Sequence, residues 1–360
     1  MGLAAVSRHD IRHQDSQSAY TAKSDVAAAS GNVGTPAWYK VLKSLYYLYT
    51  GVACAQPVTS TLRVTARLHH RWRSSVKDQF GDLVQLQRRH DGVAVLSIRN
   101  PPVNALVTPV FAELRAAAEA LKTDLPGAVV ITGLPKAFAL GGEISEVRRQ
   151  QFDGRDDIPD EELDAAVAAT IDPEYVASLG RKYHETFEAV ATIPRMVIAA
   201  IEGIAFGGGL ELALACDYRI VSERARLASP EVTLGATSIG AGTIRMTHLI
   251  GPSKTKRMYL GGVPVTAAEA LEMGLVDEVT PTGSTVDRAL AFAAQFAAGA
   301  VHAQGMFKTL VDASLNVPFQ QALDLEFDLW CESFRSEDAR IGLRAFFKNG
   351  PNKPVAFTGR

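Results

Sequence analysis

Two glutamates occupy positions where a carboxylate is costly. Glu211 directly follows Gly207-Gly208-Gly209-Leu210, early in a predicted helix (Leu210 to Ala215) whose other residues are all apolar. Glu231 follows Ser229-Pro230 at the end of a short predicted strand, Arg226–Ala228. A carboxylate on an apolar face either meets a buried partner or does chemistry, because burying it unpaired costs several kcal/mol. The chemistry open to such a pair is proton transfer, with one group accepting and the other donating. Each also has a structural explanation. Glu211 is favoured by the positive end of a helix dipole, and Glu231 fits an ordinary capping turn. Spacing alone does not bring the two into one pocket.

Two glycine-bearing turns follow predicted strands: Lys136-Ala-Phe-Ala-Leu-Gly141-Gly142-Glu143 and Gly203-Ile-Ala-Phe-Gly207-Gly208-Gly209-Leu210-Glu211. Glycine lets the backbone turn sharply and leaves its N–H groups uncovered. If each turn opens a helix, its first N–H groups also lack internal partners. Two such termini converging would make an oxyanion hole, a pair of fixed donors where negative charge develops. The same spacing also serves a phosphate cradle or a close-packed structural turn. The second turn matches G-x-G-x-x-G only loosely, with no clear acidic residue about 20 positions later.

The elements that must position these groups alternate. Val84, Leu86 and Arg88 begin a hairpin that turns at His90-Asp91-Gly92 and returns over Val93 to Ile98. Val110, Leu114, Ala117 and Leu121 have helical spacing, Ala128 to Thr132 reads as a buried strand, and a helix is predicted from Pro173 to Val190. Met196 to Ile201 is a further apolar strand, and residues 150–170 read as an acidic loop. From Thr243 onward the pattern turns mostly helical, with capping-box spacing at Thr266 and Glu269. Strand and helix in alternation predict an α/β fold.

The composition narrows the remaining classes. The chain has 360 residues, 47% of them hydrophobic, and a formal charge of −2, so it can build a sizeable core and has no overall attraction for nucleic acid. No apolar run reaches the roughly 18 residues of a bilayer span. Cys54, Cys216 and Cys331 lie far apart and make neither a disulfide framework nor a zinc site, which fits a reducing compartment. Residues 1–77 carry ten basic and three acidic side chains. That acid-poor leader fits an organelle transit peptide or a solvated basic arm, and Lys40 to Ala55 imitates a secretory signal. The chain is accordingly placed in the cytoplasm, or in mitochondria if the leader is a transit peptide. His9, His13, His69 and His70 have no ligand-like pairing and are expected to face solvent.

The ordered motifs between Asp82 and Arg360 resemble the enoyl-CoA hydratase/isomerase (crotonase) family. They include Asn100-Pro-Pro-Val-Asn-Ala-Leu106, Lys136 to Gly142, Ile193-Pro-Arg-Met-Val-Ile-Ala-Ala-Ile-Glu-Gly203, and Ala205-Phe-Gly-Gly-Gly-Leu-Glu-Leu-Ala-Leu-Ala-Cys-Asp217. Ala228-Ser-Pro-Glu-Val-Thr-Leu-Gly235, Ala267-Ala-Glu-Ala-Leu-Glu-Met-Gly-Leu-Val276 and the tail from Phe334 also fit. The resemblance implies a ββα spiral with a helical C-terminal region. The chain then divides into a basic leader (1–80), a catalytic core (81–265) and a helical, trimerisation-type region (266–360), assembled as a homotrimer or homohexamer. It implies an acyl-CoA thioester substrate, with no metal and no cofactor beyond the coenzyme A of the substrate.

By position in the family, the oxyanion donors are the N–H groups of Gly142 and Gly208. Glu211 is the water-activating base and Glu231 the main acid/base at the α-carbon. The substrate would touch Ala139, Leu140, Gly142, Glu143, Ile144, Ser145, Gly207, Gly208 and Ile239. Both glutamates together favour a 2-enoyl-CoA hydratase. A Δ3-Δ2 enoyl-CoA isomerase, which often keeps only the acid at the place of Glu231, is the alternative, and a non-catalytic CoA- or RNA-binding scaffold is a third. Some residues depart from the family pattern. Ser238-Ile239-Gly240-Ala241-Gly242-Thr243 replaces a glycine-richer loop, Glu143 stands where aspartate is common, and residues 148–172 form a long acidic insert. Lys308 and Lys348 are candidates to reach CoA phosphates, or ordinary surface lysines.

Overall fold

A computed structural model describes residues 77–142, 152, 155, 157–351 and 353–359. Residues 1–76, with the four leader histidines and the segments expected to resemble a transit peptide or secretory signal, lie outside the described residues, and the end of the expected leader forms the first strand.

The described chain opens with strands β1 (Lys77–Gln79), β2 (Val84–Arg88) and β3 (Val93–Ile98), and β2 and β3 form the expected antiparallel hairpin, Leu86 opposite Leu96. Gly92 takes φ 84° at its turn, a left-handed conformation open to glycine. Helix α1 (Thr108–Thr123) buries Val110, Leu114, Ala117 and Leu121, the helical stripe legible in the sequence. Then come β4 (Ala128–Thr132) and β5 (Ala137–Leu140), followed by α2 (Asp160–Thr170) and α3 (Pro173–Ala191). The expected acidic loop at 150–170 is thus helical from Asp160. Its three acids in the first turn favour the helix N-terminus, and none of its residues is buried. Asp172 caps α3 by accepting the Tyr175 N–H at 2.9 Å.

Two further strand pairs follow, β6 (Val197–Ile201) with β7 (Ile204–Phe206) and β8 (Tyr218–Ser222) with β9 (Arg226–Ala228). Helix α4 (Gly208–Leu214) separates these pairs, and a 3-10 turn (Pro230–Leu234) follows β9. In each pair the first strand joins a large sheet, ordered β1-β2-β3-β4-β6-β8 and then a last strand, and the second joins a small one. From β3 onward the large sheet is parallel, and β5, β7 and β9 are parallel in the small sheet. The repeating unit is therefore strand, strand, helix, wound so that equivalent turns stack side by side. Parallel strands covered on both faces are mostly apolar, and β4 (AVVIT) and β6 (VIAAI) are buried at every residue, with the one hydroxyl, Thr132, donating to the Ala200 carbonyl.

The remaining chain supplies α5 (Gly242–Ile250), α6 (Pro252–Gly261), β10 (Val265–Thr266), α7 (Ala267–Met273), β11 (Glu278–Thr280) and α8 (Thr285–Ala297). Strand β10 pairs with β9, and β11 completes the large sheet beside β8. The capping box at Thr266 and Glu269 is formed in both directions. On one face of the large sheet lies the main core. On the other, Ala289 and Ala293 of α8 pack on Val130, Ile198 and Ile220. Three helices end the chain: α9 (Val301–Ser314), α10 (Phe319–Ser333) and α11 (Glu337–Asn349). Buried Asp338 ties the tail back by accepting the N–H groups of Thr358 and Gly359. Phe307, Val311, Phe319, Phe327 and Trp330 of α9 and α10 stay exposed, and Phe307, Phe327 and Trp330 line an apolar cavity of about 440 Å³. Among the described residues no helix is long and apolar enough to cross a membrane.

Candidate functional site

The two glycine turns meet because their strands are neighbours. Leu140 at the end of β5 pairs with Phe206 at the end of β7, so the chain leaves both strands at the same edge of the small sheet. There the Gly141 N–H donates to the Phe206 carbonyl (2.8 Å) and the Gly207 N–H to the Ala228 carbonyl (2.9 Å). Those bonds finish the ladder and leave the next two amides, Gly142 and Gly208, to face elsewhere. Gly207 takes φ 53°, which turns β7 into α4. At Gly141 a Cβ would stand 2.5 Å from the Gly208 nitrogen, so the two turns approach this closely only because that position has no side chain.

Neither amide is spent on a helix. Gly208 is the first residue of α4, whose initial N–H groups have no intrahelical acceptor. The Gly142 N–H donates to the Tyr183 hydroxyl of α3 at 3.0 Å. A Cβ on Gly208 would meet that phenol as well, 2.6 Å from ring Cε1 and 2.9 Å from the hydroxyl oxygen. The two amide-bearing residues thus border one small volume.

Glu211 follows the second glycine turn and Glu231 reaches its Gly207. Glu211 lies on α4, one turn from Gly207, and is 2% exposed. Its Oε1 accepts the Gly242 N–H at 3.0 Å. Burial pushes its carboxyl above the usual glutamate range and the negative charge of Glu231 adds to this, while the amides of Gly242 and Gly240 pull the other way. Glu231, in the 3-10 turn, reaches Gly207: its Oε1 lies 2.9 Å from the Cβ position there. Its Oε2 is buried without a hydrogen-bond partner among the described residues, and burial raises this carboxyl too. Both carboxyls therefore hold a proton more readily than a solvent-exposed glutamate does. Two raised carboxyls and the amides of Gly142 and Gly208, the first of them engaged by the Tyr183 hydroxyl, are groups that can stabilise an oxyanion and move protons beside it.

The other expected contacts divide. Ala139 is buried within β5, and its carbonyl backs the α4 glycines. Leu140 exchanges backbone bonds with Asn104 and Leu106. Ile239 is partly exposed, its Cγ1 3.3 Å from the Cβ position of Gly180 on α3, so it faces α3 across the loop that holds Gly240. Glu143, Ile144 and Ser145 lie outside the described residues.

Lys308 is a correction. Its ammonium is 2.8 Å from Asp217 Oδ2 and donates to the Arg195 carbonyl, with 12% of its side chain exposed, so it is a structural ion-pair partner and not a free cation for phosphate. Lys348 lies exposed in the last turn of α11. Cys216 is inert as a nucleophile: burial raises its thiol to about 12.

Sequence reasoning passed over two tyrosines. Tyr259 of α6 brings its buried hydroxyl to the Cβ position of Gly242, where Glu211 also stands, and burial and the Glu211 charge both raise it. Tyr183 shares a helical face with Phe187, four residues on, and that spacing signals only core. Nothing in either local sequence aims a hydroxyl at the glycines.

The model of the enoyl-CoA hydratase/isomerase family matches residues 88–176 and 163–354. A "probable enoyl-CoA hydratase" of Bacillus subtilis is 33% identical over 258 residues, covering 71% of this chain and 92% of that protein. One from Rhizobium meliloti is 34% identical over 266 residues, covering 73% and 93%. Among solved structures, an enoyl-CoA hydratase from Geobacillus kaustophilus superimposes with TM-score 0.69 at 29% identity, over 80% of this chain and all of that one. The expected α/β spiral with its helical C-terminal region is the fold that these structures share with the chain.

Proposed function

This chain belongs to the enoyl-CoA hydratase/isomerase family, and within it we propose that the protein is a 2-enoyl-CoA hydratase. The observation that carries the reading is the pair Glu211 and Glu231, both raised by burial, with Glu211 one turn after Gly207 on α4 and Glu231 Oε1 2.9 Å from the Cβ position of Gly207. A 2-enoyl thioester has an electrophilic β-carbon, and charge collects on its carbonyl oxygen as water adds. The amides of Gly142 and Gly208 receive that oxygen, each donor contributing about 3 kcal/mol to the transition state. Glu211 takes one proton from water as the oxygen bonds to the β-carbon, and Glu231 delivers a proton to the α-carbon. The net change is one water added across the double bond.

The test is to incubate the protein with 2-enoyl-CoA esters of several chain lengths and follow the conjugated-thioester absorbance. Its loss, abolished in Glu231→Gln, supports hydration. No loss on any ester, with new absorbance appearing from a 3-enoyl-CoA instead, would replace hydration by isomerisation. We also propose that further copies of this chain cover the exposed apolar face of α9 and α10 in a homotrimer. Sedimentation at micromolar concentration checks this, and a species of 38.6 kDa would remove it.

A further inference from the structure

The cradle beside β5 and β7 already holds an oxygen atom, and it is the protein's own. Tyr183 stands in the middle of α3, 5% exposed. Its ring packs 4.5 Å from that of Phe111 and edge-on to Phe187 at 5.5 Å. The hydroxyl oxygen takes the Gly142 N–H at 3.0 Å, the separation at which that donor would serve a developing oxyanion. The phenol also lies over Gly208, the residue of the second donor. A thioester oxygen and this hydroxyl cannot share the same volume.

We propose that Tyr183 sets the affinity of the site for thioesters: its hydroxyl keeps the carbonyl position until the carbonyl oxygen of an acyl-CoA displaces it. This rests on the acyl-CoA reading above and adds a residue to it. The displaced bond joins two neutral groups, so losing it costs a net of about 1 kcal/mol, a factor of roughly five in affinity. Ground state and transition state both bear that cost, because the hydroxyl must leave before either forms. Its removal therefore moves KM and leaves kcat in place. Coenzyme A without an acyl group has no carbonyl oxygen to place in the cradle, so its binding does not depend on the hydroxyl.

The experiment compares wild type with Tyr183→Phe, which keeps the ring between Phe111 and Phe187. Butyryl-CoA and dodecanoyl-CoA are saturated thioesters that cannot be hydrated. Each is titrated calorimetrically alongside coenzyme A, and steady-state kinetics are recorded with the matching 2-enoyl-CoA esters. The expected result for Tyr183→Phe is a roughly fivefold lower Kd for the saturated thioester and a similarly lower KM. Coenzyme A affinity and kcat stay within twofold. Tyr183→Leu, which also lacks the hydroxyl, should shift KM in the same direction. A kcat reduced tenfold at unchanged KM overturns the proposal, since the hydroxyl would then be donating to the reacting oxygen. Equal tightening of coenzyme A and acyl-CoA, or no change in any constant, overturns it too. All three results leave the acyl-CoA reading standing. A wild-type protein that binds neither thioester and consumes neither ester removes that reading and this proposal together.

Discussion

Two acids on adjacent parts of the chain, one buried and one partly exposed, have opposite surroundings. Asp217 follows α4 at the entrance to β8. It is held by the Lys308 ammonium at 2.8 Å and by the Val197 N–H at 2.7 Å, with 22% of its side chain exposed. Glu211 is six residues earlier and more deeply buried, and its carboxylate accepts from the amides of Gly242 and Gly240. Burial raises both carboxyls. The Asp217 charge is compensated on the spot by a cation, as a structural ion pair requires. The Glu211 charge meets amide dipoles and a second carboxylate, an arrangement that adds nothing to stability as a fixed charge and keeps the proton exchangeable. Burial alone therefore does not tell the two acids apart. What separates the two acids is the cation, present beside Asp217 and absent beside Glu211 among the described residues.

Breaking the Glu211 side of that comparison should have the largest effect, and on rate. Glu211→Gln keeps an oxygen for the Gly242 amide but cannot take a proton from water. A general base of this kind is worth about 10²–10⁴-fold, so kcat for 2-enoyl-CoA hydration should fall at least a hundredfold. The melting temperature should stay level or rise, because a buried charge without a cation has been removed. A kcat within tenfold of wild type would return Glu211 to the structural explanation.

The contrast between these acids also marks what could be read from the chain. Glu211 and Glu231 were legible because each interrupts an apolar stretch, and the hairpin, α1 and the Thr266 capping box were legible from spacing. Strands β5 and β7 were not. Each has three or four residues and runs straight into glycine, so it reads as part of a turn until its neighbour in the small sheet is known. Helix α2 was hidden because none of its residues is buried, so no apolar stripe marks it. The Lys308 pairing spans 91 residues, and the Tyr183 hydroxyl reaches Gly142 across 41. Such contacts are set by how α9 and α3 pack, which no local pattern encodes.

Breaking the Asp217 side should instead cost stability. Lys308→Met leaves the carboxylate facing a mostly buried site with only the Val197 amide. Removing one partner of a buried pair costs about 3 kcal/mol at the lower end of its range, a figure suited to a pair that keeps some exposure. Chemical denaturation should show that loss while kcat, measured well below the new melting temperature, remains within about threefold. A variant as stable as wild type would mean that solvent already screens Asp217 and that the cation is incidental.

The smallest effect is the pH dependence of stability, and it sharpens the distinction most directly. A carboxyl whose folded pKa lies above its unfolded value binds its proton more tightly in the native state. Between the ordinary glutamate value of 4.5 and the raised one, the native state therefore holds more protons than the unfolded chain, and stability falls as pH rises through that window. The stabilisation is fully present below the unfolded pKa and gone above the folded one. Glu211→Gln has no such proton to lose, so its stability should decline less steeply over the same interval, the two curves diverging upward from about pH 4.5. Denaturant titrations at half-unit pH steps read the difference. Parallel curves would show that the amides of Gly242 and Gly240 stabilise the charged form fully, and the exchangeable proton assigned to Glu211 would have to reside on Glu231 instead.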